Sequence, residues 1–438
     1  MRVRVAYLLL GLISFLMVSD FVLRGVIPAF APGKTDFSEI YTSAWLWRHG
    51  QNPYDSLLAT SVQERLAGVS VQIAPIYPPT TLALISPFTF LPWKWADFAW
   101  MLLGLAGLAA TIFLLSRLRG SGTWGLDSMI FATFLLCFDP LHQAFHLGNV
   151  ALIVVPLSLS GVLLAERGHD LGAGATLAIA ASLKPQIGIW ILLYYFLRRR
   201  KLVFAGTLAA AACVAAALLL RPVPILSSIS DYRANLQHWF APGRPYGFTE
   251  GALPFHVNII QVILYRLFHS AWAANVAAQL TFLTGIGIWL FTLRRTAFRI
   301  PAALAISSLL ALSFLSLYHS VSDTTMLTLA LCWAFPVGRR PWSAVNFTIC
   351  TIMLLMMLPG HSALMRVSPY LNDSVTTTWW WSLLVARYFV WLLLSLNVAL
   401  LFGLWKSAAE LKPRHDEIKP VIPALTAIAT VGAIEKAS

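Results

Sequence analysis

The chain has 438 residues, of which 58% are hydrophobic and only 11% charged, against about 25% charged in a soluble domain. That balance excludes an ordinary soluble enzyme, and the four cysteines, each inside an apolar run with no CxxC pair, give neither a disulfide framework nor a zinc site. A net charge of +13 would suggest nucleic acid in a soluble protein, but its placement along this chain has another cause.

A membrane span needs roughly 17–25 apolar residues. Runs that fit cover 5–30, 95–116, 128–141, 149–165, 202–220, 271–293, 301–318, 321–337, 342–358 and 381–405. The first follows Arg2 and Arg4 but shows no small-residue cleavage site, so it reads as a retained helix and not a signal peptide. A long polar stretch, 31–80, comes next. Residues 80–92, between Pro78-Pro79 and Pro92, are too short to span and belong at the interface with Trp93 and Trp95. The run 172–197 is interrupted by Lys184-Pro185, and proline disfavours helix at itself and at the residue before it. The expectation is a helical hairpin: 172–183 rising, Lys184-Pro185-Gln186 turning, 187–197 returning. Irregular backbone at that depth needs a protein or water-filled surrounding, so a buried polar cavity near Lys184 is implied.

The result is an all-α integral membrane bundle of about twelve spanning or half-spanning helices. The excess Lys and Arg falls in short connections on one face, the positive-inside pattern. Nucleic acid is therefore not an expected partner. The long polar segments 31–80, 221–256 and 359–380 then face outward. Residues 1–405 form the membrane domain and 406–438 a cytoplasmic tail.

Asp36 and Glu39 lie three apart just beyond the first span, sharing a face if the segment is helical, with Tyr41 nearby. Asp36 is either a carboxylate placed to accept a proton from an attacking hydroxyl or a capping aspartate. Lys184 is costly to bury; it either binds a phosphate as a point charge or snorkels to the interface. His319, at an outer helix end, either orients a substrate or is an interfacial histidine. Asp139, His142 and His146 have a spacing compatible with metal ligands, but Pro140 interrupts and no further ligand stands out, so they are either ligands of a metal or ordinary polar groups, and metal dependence stays open. Asp20 and Arg24 form an intrahelical ion pair.

Taken in order, several elements resemble a known family. Asp36-Phe37-Ser38-Glu39-Ile40-Tyr41, then Gly50-Gln51-Asn52-Pro53-Tyr54-Asp55, then Tyr77-Pro78-Pro79 look like the opening of the polyprenyl-phosphate-dependent mannosyltransferases of glycosyltransferase family 87. Gly148-Asn149 stands where that family has a Gly-Gln element. Ala181-Ser182-Leu183-Lys184-Pro185-Gln186 resembles its Leu-Lys-Pro hairpin, and Tyr318-His319 falls where relatives carry a histidine. Asn149 replaces the glutamine, and Phe255-His256-Val257-Asn258 replaces an expected Asn-x-Ser element.

The resemblance implies a GT-C fold in the plasma membrane, with cytoplasmic termini and an active site facing the periplasm or outside. It implies inverting transfer of a hexose, mannose-like, from a polyprenyl-phosphate sugar to a hydroxyl of a glycolipid or glycan, without a cofactor. Asp36 matches the catalytic base, and His319 is a second catalytic candidate. Lys184, Glu39, Tyr41, Tyr54, Tyr77, Asn149, Gln186 and Arg266 are the expected substrate-binding residues. The partners are membrane lipid, the lipid-linked donor and the acceptor, with the protein a monomer. A competing class is a lipid-linked sugar flippase or secondary transporter, which needs polar groups along the whole path; here they cluster toward the outer half. A non-catalytic subunit of envelope synthesis would tolerate loss of Asp36.

Overall fold

The structure is a computed structural model describing residues 11–12, 15–29, 35–69, 74–120, 126–198, 200–219, 225–244, 246–249, 257–335, 342–357 and 360–411. Arg2, Arg4, the start of the first span, Pro32, Lys34, Arg199, Arg339, Arg340, Phe255-His256 and the tail beyond Leu411 lie outside the described residues. Those described are mostly helical, with no strand among them.

In chain order, α1 (residues 15–29) leads to α2 (Thr35–Arg48), α3 (Ser56–Ala67) and α4 (Pro79–Ile85). Then come α5 (Trp93–Leu118), α6 (Leu126–Cys137), α7 (Asp139–Leu147) and α8 (Ala151–Glu166). The Lys184 hairpin is α9 (Asp170–Leu183) and α10 (Pro185–Leu197), followed by α11 (Lys201–Leu219) and α12 (Ile225–Trp239). The last third holds α13 (Ile260–Phe268), α14 (Ala271–Arg295), α15 (Ala302–Ser316), α16 (Leu329–Ala334), α17 (Ala344–Met357), α18 (Gly360–Val367) and α19 (Tyr388–Glu410). A 3₁₀ segment, Val321–Thr328, runs into α16.

Among the described residues α5, α11, α14 and α19 are long and apolar enough to cross a membrane. The pair α6 and α7, bent by 65°, adds a fifth if counted as one span. Five further apolar helices, α8, α9, α10, α15 and α17, are 10–17 residues long, short of a full crossing by length alone. α15 is buried along nearly its whole length and packs against α10, α14 and α19. By contrast α11 buries only Val203, Gly206 and Val214 and turns Leu202, Phe204 and Leu208 outward, as a helix facing lipid does.

The polar stretch 31–80 and the segment 221–256, expected as loops, contain ordered helices. Asp55 caps α3, accepting from the Leu57 and Leu58 amides at 3.1 Å. α12 is a polar helix without the long apolar run that marks a span. Pro140 does not interrupt a helix either: it lies in the first turn of α7, where its missing N–H costs no bond. The break falls two residues earlier, at Phe138.

The hairpin forms as its proline requires. Lys184 is extended (φ −142°, ψ 92°) between α9 and α10, the conformation favoured before proline. Gly188 packs onto Ala181 so closely that a Cβ would lie 2.4 Å from the Ala181 nitrogen. At the base Arg198 meets Glu166 at 2.6 Å and Arg200 meets Asp170 at 3.2 Å, so the two helices return alongside one another. The carbonyls freed at the end of α9 are satisfied from α4. Thr80 Oγ1 donates to Ser182 O at 2.7 Å and Thr81 Oγ1 to Leu183 O at 2.8 Å.

Candidate active site

A cavity of about 930 Å³ opens where α2, α7, the hairpin tip and the segments around Tyr77, Tyr246 and Tyr318 converge. Its position depends on an aromatic stack. Phe37, fully buried, lies between Trp93 (5.6 Å) and Trp100 (4.5 Å), and Tyr41 donates to Leu91 O at 2.8 Å. These contacts hold one face of α2 against α5 and present Asp36 and Glu39, one turn apart, to the cavity.

Trp100 also donates from Nε1 to Gly148 O at 2.8 Å. Gly148 ends α7 with φ +67°, and a Cβ there would sit 2.8 Å from Phe37 Cβ; only glycine allows both the turn and the contact. The next residue, Asn149, is thereby brought to Asp36. Its Oδ1 accepts from Lys184 Nζ at 2.8 Å and from the Ala151 amide at 2.9 Å. With both donors on the oxygen, the amide nitrogen must face the other way, and Asn149 Nδ2 donates to Asp36 Oδ2.

Lys184 Nζ also pairs with Asp323. Asp323 is fully buried, accepts from the Ser320 amide at 3.1 Å in a capping box, and takes a longer bond from Gln186 Nε2 at 3.3 Å. One polar chain therefore runs Asp36, Asn149, Lys184, Asp323, joining α2, the α7–α8 turn, the hairpin tip and the start of the 3₁₀ segment. Across the cavity Phe240, Tyr246 and Tyr318 form an aromatic wall, with centroids 4.6 Å apart for Phe240–Tyr318 and 5.8 Å for Tyr246–Tyr318.

Burial raises the Asp36 carboxyl above the usual aspartate value, opposed by the Asn149 hydrogen bond and the Lys184 charge. Glu39 is pushed up well above its ordinary value by burial and then by the Asp36 charge. Its Oε1 has no hydrogen-bond partner among the described residues. A carboxyl raised in the folded state contributes stability that is complete below its unfolded pKa and is lost as pH rises through the folded one. Thermal stability of the wild type should therefore fall as pH rises from acid into the neutral and alkaline range. Glu39→Gln, which cannot ionise, should flatten that fall; equal slopes in melting curves against pH would show that Glu39 titrates as it does in water.

Of the residues singled out from sequence, Asp36, Glu39, Tyr77, Asn149, Lys184 and Gln186 line this one cavity. Tyr41 and Tyr54 are buried and not in the lining; Tyr54 donates to Tyr77 O at 3.1 Å and helps fix that stretch of the wall. Arg266 and His319 are not in the lining. Arg266 is on α13, near Arg387. His319 is fully buried, stacked on Phe314 at 4.9 Å, with Nδ1 3.3 Å from Leu317 O. Asp139, His142 and His146 do share the cavity-lining face of α7, yet no group of three or more His, Cys, Asp or Glu is arranged for a metal among the described residues. Arg24, paired with Asp20, lines the cavity too.

Sequence reasoning missed Asp323 as the partner of Lys184. The signal was there, since a buried cation demands a counter-charge and Ser320-x-x-Asp323 places an acid in an otherwise uncharged stretch. It missed the aromatic wall for want of any local signal.

The profile of glycosyltransferase family 87 matches residues 76–320, more than half of the chain. The chain belongs to glycosyltransferase family 87. Neither the curated proteins nor the solved structures gave a match. Within the family 87 match fall Tyr77, Asn149, Lys184, Gln186 and Tyr318, whereas Asp36, Glu39 and Asp323 lie outside it. The structure puts Asp36 and Glu39 on the cavity wall and Asp323 behind Lys184. The protein is thus a membrane glycosyltransferase of family 87 with a polar and aromatic cavity beside its apolar helices.

Proposed function

We propose that this glycosyltransferase moves a hexose, mannose or a close relative, from a polyprenyl-phosphate sugar to a hydroxyl of a glycolipid or glycan. Transfer takes place at the outer face of the plasma membrane, with both termini cytoplasmic. The observation that carries this reading is Asp36: a carboxylate on the cavity wall whose one protein donor among the described residues is Asn149. An acceptor hydroxyl in the cavity gives its proton to Asp36 as its oxygen attacks the anomeric carbon. The oxygen–carbon bond forms as the bond from that carbon to the phosphate oxygen breaks, and the electron pair leaves with polyprenyl phosphate. One displacement inverts the configuration. The raised pKa of Asp36 favours its taking the proton. Asn149 and, behind it, Lys184 are positioning residues that fix the carboxylate. The aromatic wall offers apolar faces on which a sugar ring can stack. The positive-inside charge pattern supports the orientation.

The test uses purified protein in lipid nanodiscs, with a polyprenyl-phosphate hexose offered beside the nucleotide-diphosphate form of the same sugar. The expected product forms from the lipid donor only and has inverted anomeric configuration. Transfer from the nucleotide sugar, or retention, would overturn the proposal.

A further inference from the structure

Lys184 looks from sequence like the group that receives the donor phosphate, but its ammonium is already bonded to Asp323 and Asn149 and almost wholly buried. Two carboxyls, Asp36 and Asp323, flank that single charge, and Glu39 lies in the same wall. The end of the cavity at the hairpin tip therefore has no positive charge left over for a departing phosphate.

The α7 wall holds one cation with no ion pair among the described residues, Arg366. Asp139, His142, Gln143 and His146 fall at i, i+3, i+4 and i+7 on α7, and all four face the cavity. Arg366, from α18, lines the same wall, close enough for its charge to act on the His146 ring. Neither Arg366 nor His146 has a hydrogen bond or ion pair among the described residues. His146 lies three residues before Asn149, the residue bonded to Asp36. Four residues further back, about 6 Å along the helix axis, His142 is near the Arg24–Asp20 pair.

We propose that Arg366 and His146 form the anion subsite that holds the phosphate of the lipid donor. This rests on the proposed donor class. In an in-line displacement the leaving group lies across the sugar from the base, so the hexose sits in the cavity between Asp36 and this pair, all of which line it. Arg366 offers a planar fork of donors to phosphate oxygens, and the neighbouring imidazole adds one more. Lys184 then serves the base and not the phosphate.

The experiment measures binding of a polyprenyl monophosphate without sugar to nanodisc-embedded protein, together with donor KM. Arg366→Ala and His146→Ala should each weaken monophosphate binding and raise donor KM, about tenfold or more for Arg366→Ala, with acceptor KM unmoved. Arg366→Lys should recover part of the loss. Arg295→Ala, an exposed arginine at the far end of α14, is the charge-matched control and should bind as wild type does. If wild type binds the monophosphate and both alanine variants bind it equally well, the subsite is wrong while the donor class stands. If wild type neither binds it nor accepts the lipid donor, the donor class fails and the subsite with it.

Discussion

Asp36→Asn should lower kcat by about 10²–10⁴-fold, the usual contribution of a general base, while leaving the protein folded. The substitution is close to isosteric, and its side-chain oxygen still accepts the hydrogen bond that Asn149 Nδ2 now gives to Asp36. What it removes is the ability to take a proton. Because burial penalises the charged form of Asp36, the neutral amide should melt at the same temperature as wild type or higher. A variant that inserts, melts normally and binds donor but does not transfer is the expected result. Retention of more than a tenth of wild-type turnover would remove Asp36 from the chemistry and leave it a structural carboxylate.

The second large effect concerns the buried pair. Removing one partner, as in Asp323→Ala, leaves the Lys184 ammonium uncompensated and should cost about 3–5 kcal/mol. Replacing both with apolar residues, Lys184→Met with Asp323→Leu, should return much of that stability, since a buried ion pair is often no better than a well-packed apolar one. Activity should not return with it. Without Lys184, Asn149 Oδ1 keeps only the Ala151 amide as donor, and the Asn149 side chain no longer holds Asp36 in one orientation. Turnover should fall and the acid limb of its pH profile should move, while monophosphate binding persists. A double variant as stable and as active as wild type, with an unmoved pH profile, would show that the pair has no part in positioning the base.

Much of this site is legible in the sequence where polarity breaks an apolar pattern. Lys184-Pro185 announces both a turn and a cavity, and the structure shows α9 and α10 folding back at that point with the lysine enclosed. Asp36 and Glu39 are conspicuous for the same reason. The polar helices were harder to see. α2 and α12 lack the long apolar run that betrays a span, because they are covered from one side and open to a cavity on the other. His319 was the more visible residue of its segment, yet Asp323, four positions on, enters the polar chain. Ser320-x-x-Asp323 reads locally as a cap, and it is one; its second partner, Lys184, is 139 residues away. The wall of Phe240, Tyr246 and Tyr318 likewise depends on contacts that no local spacing encodes.

That polar chain also has a consequence for how the protein is made. Its members sit at 36, 149, 184 and 323, and synthesis delivers them in that order. When the hairpin has entered the membrane, Asp36, Asn149 and Lys184 are present, but the lysine waits for a counter-ion that leaves the ribosome well over a hundred residues later. Until then its charge lacks the carboxylate it pairs with in the folded chain. The final arrangement of Asp36 depends on the last of the four to arrive. A nascent or truncated chain ending before Asp323 therefore carries Asp36 without a completed clamp.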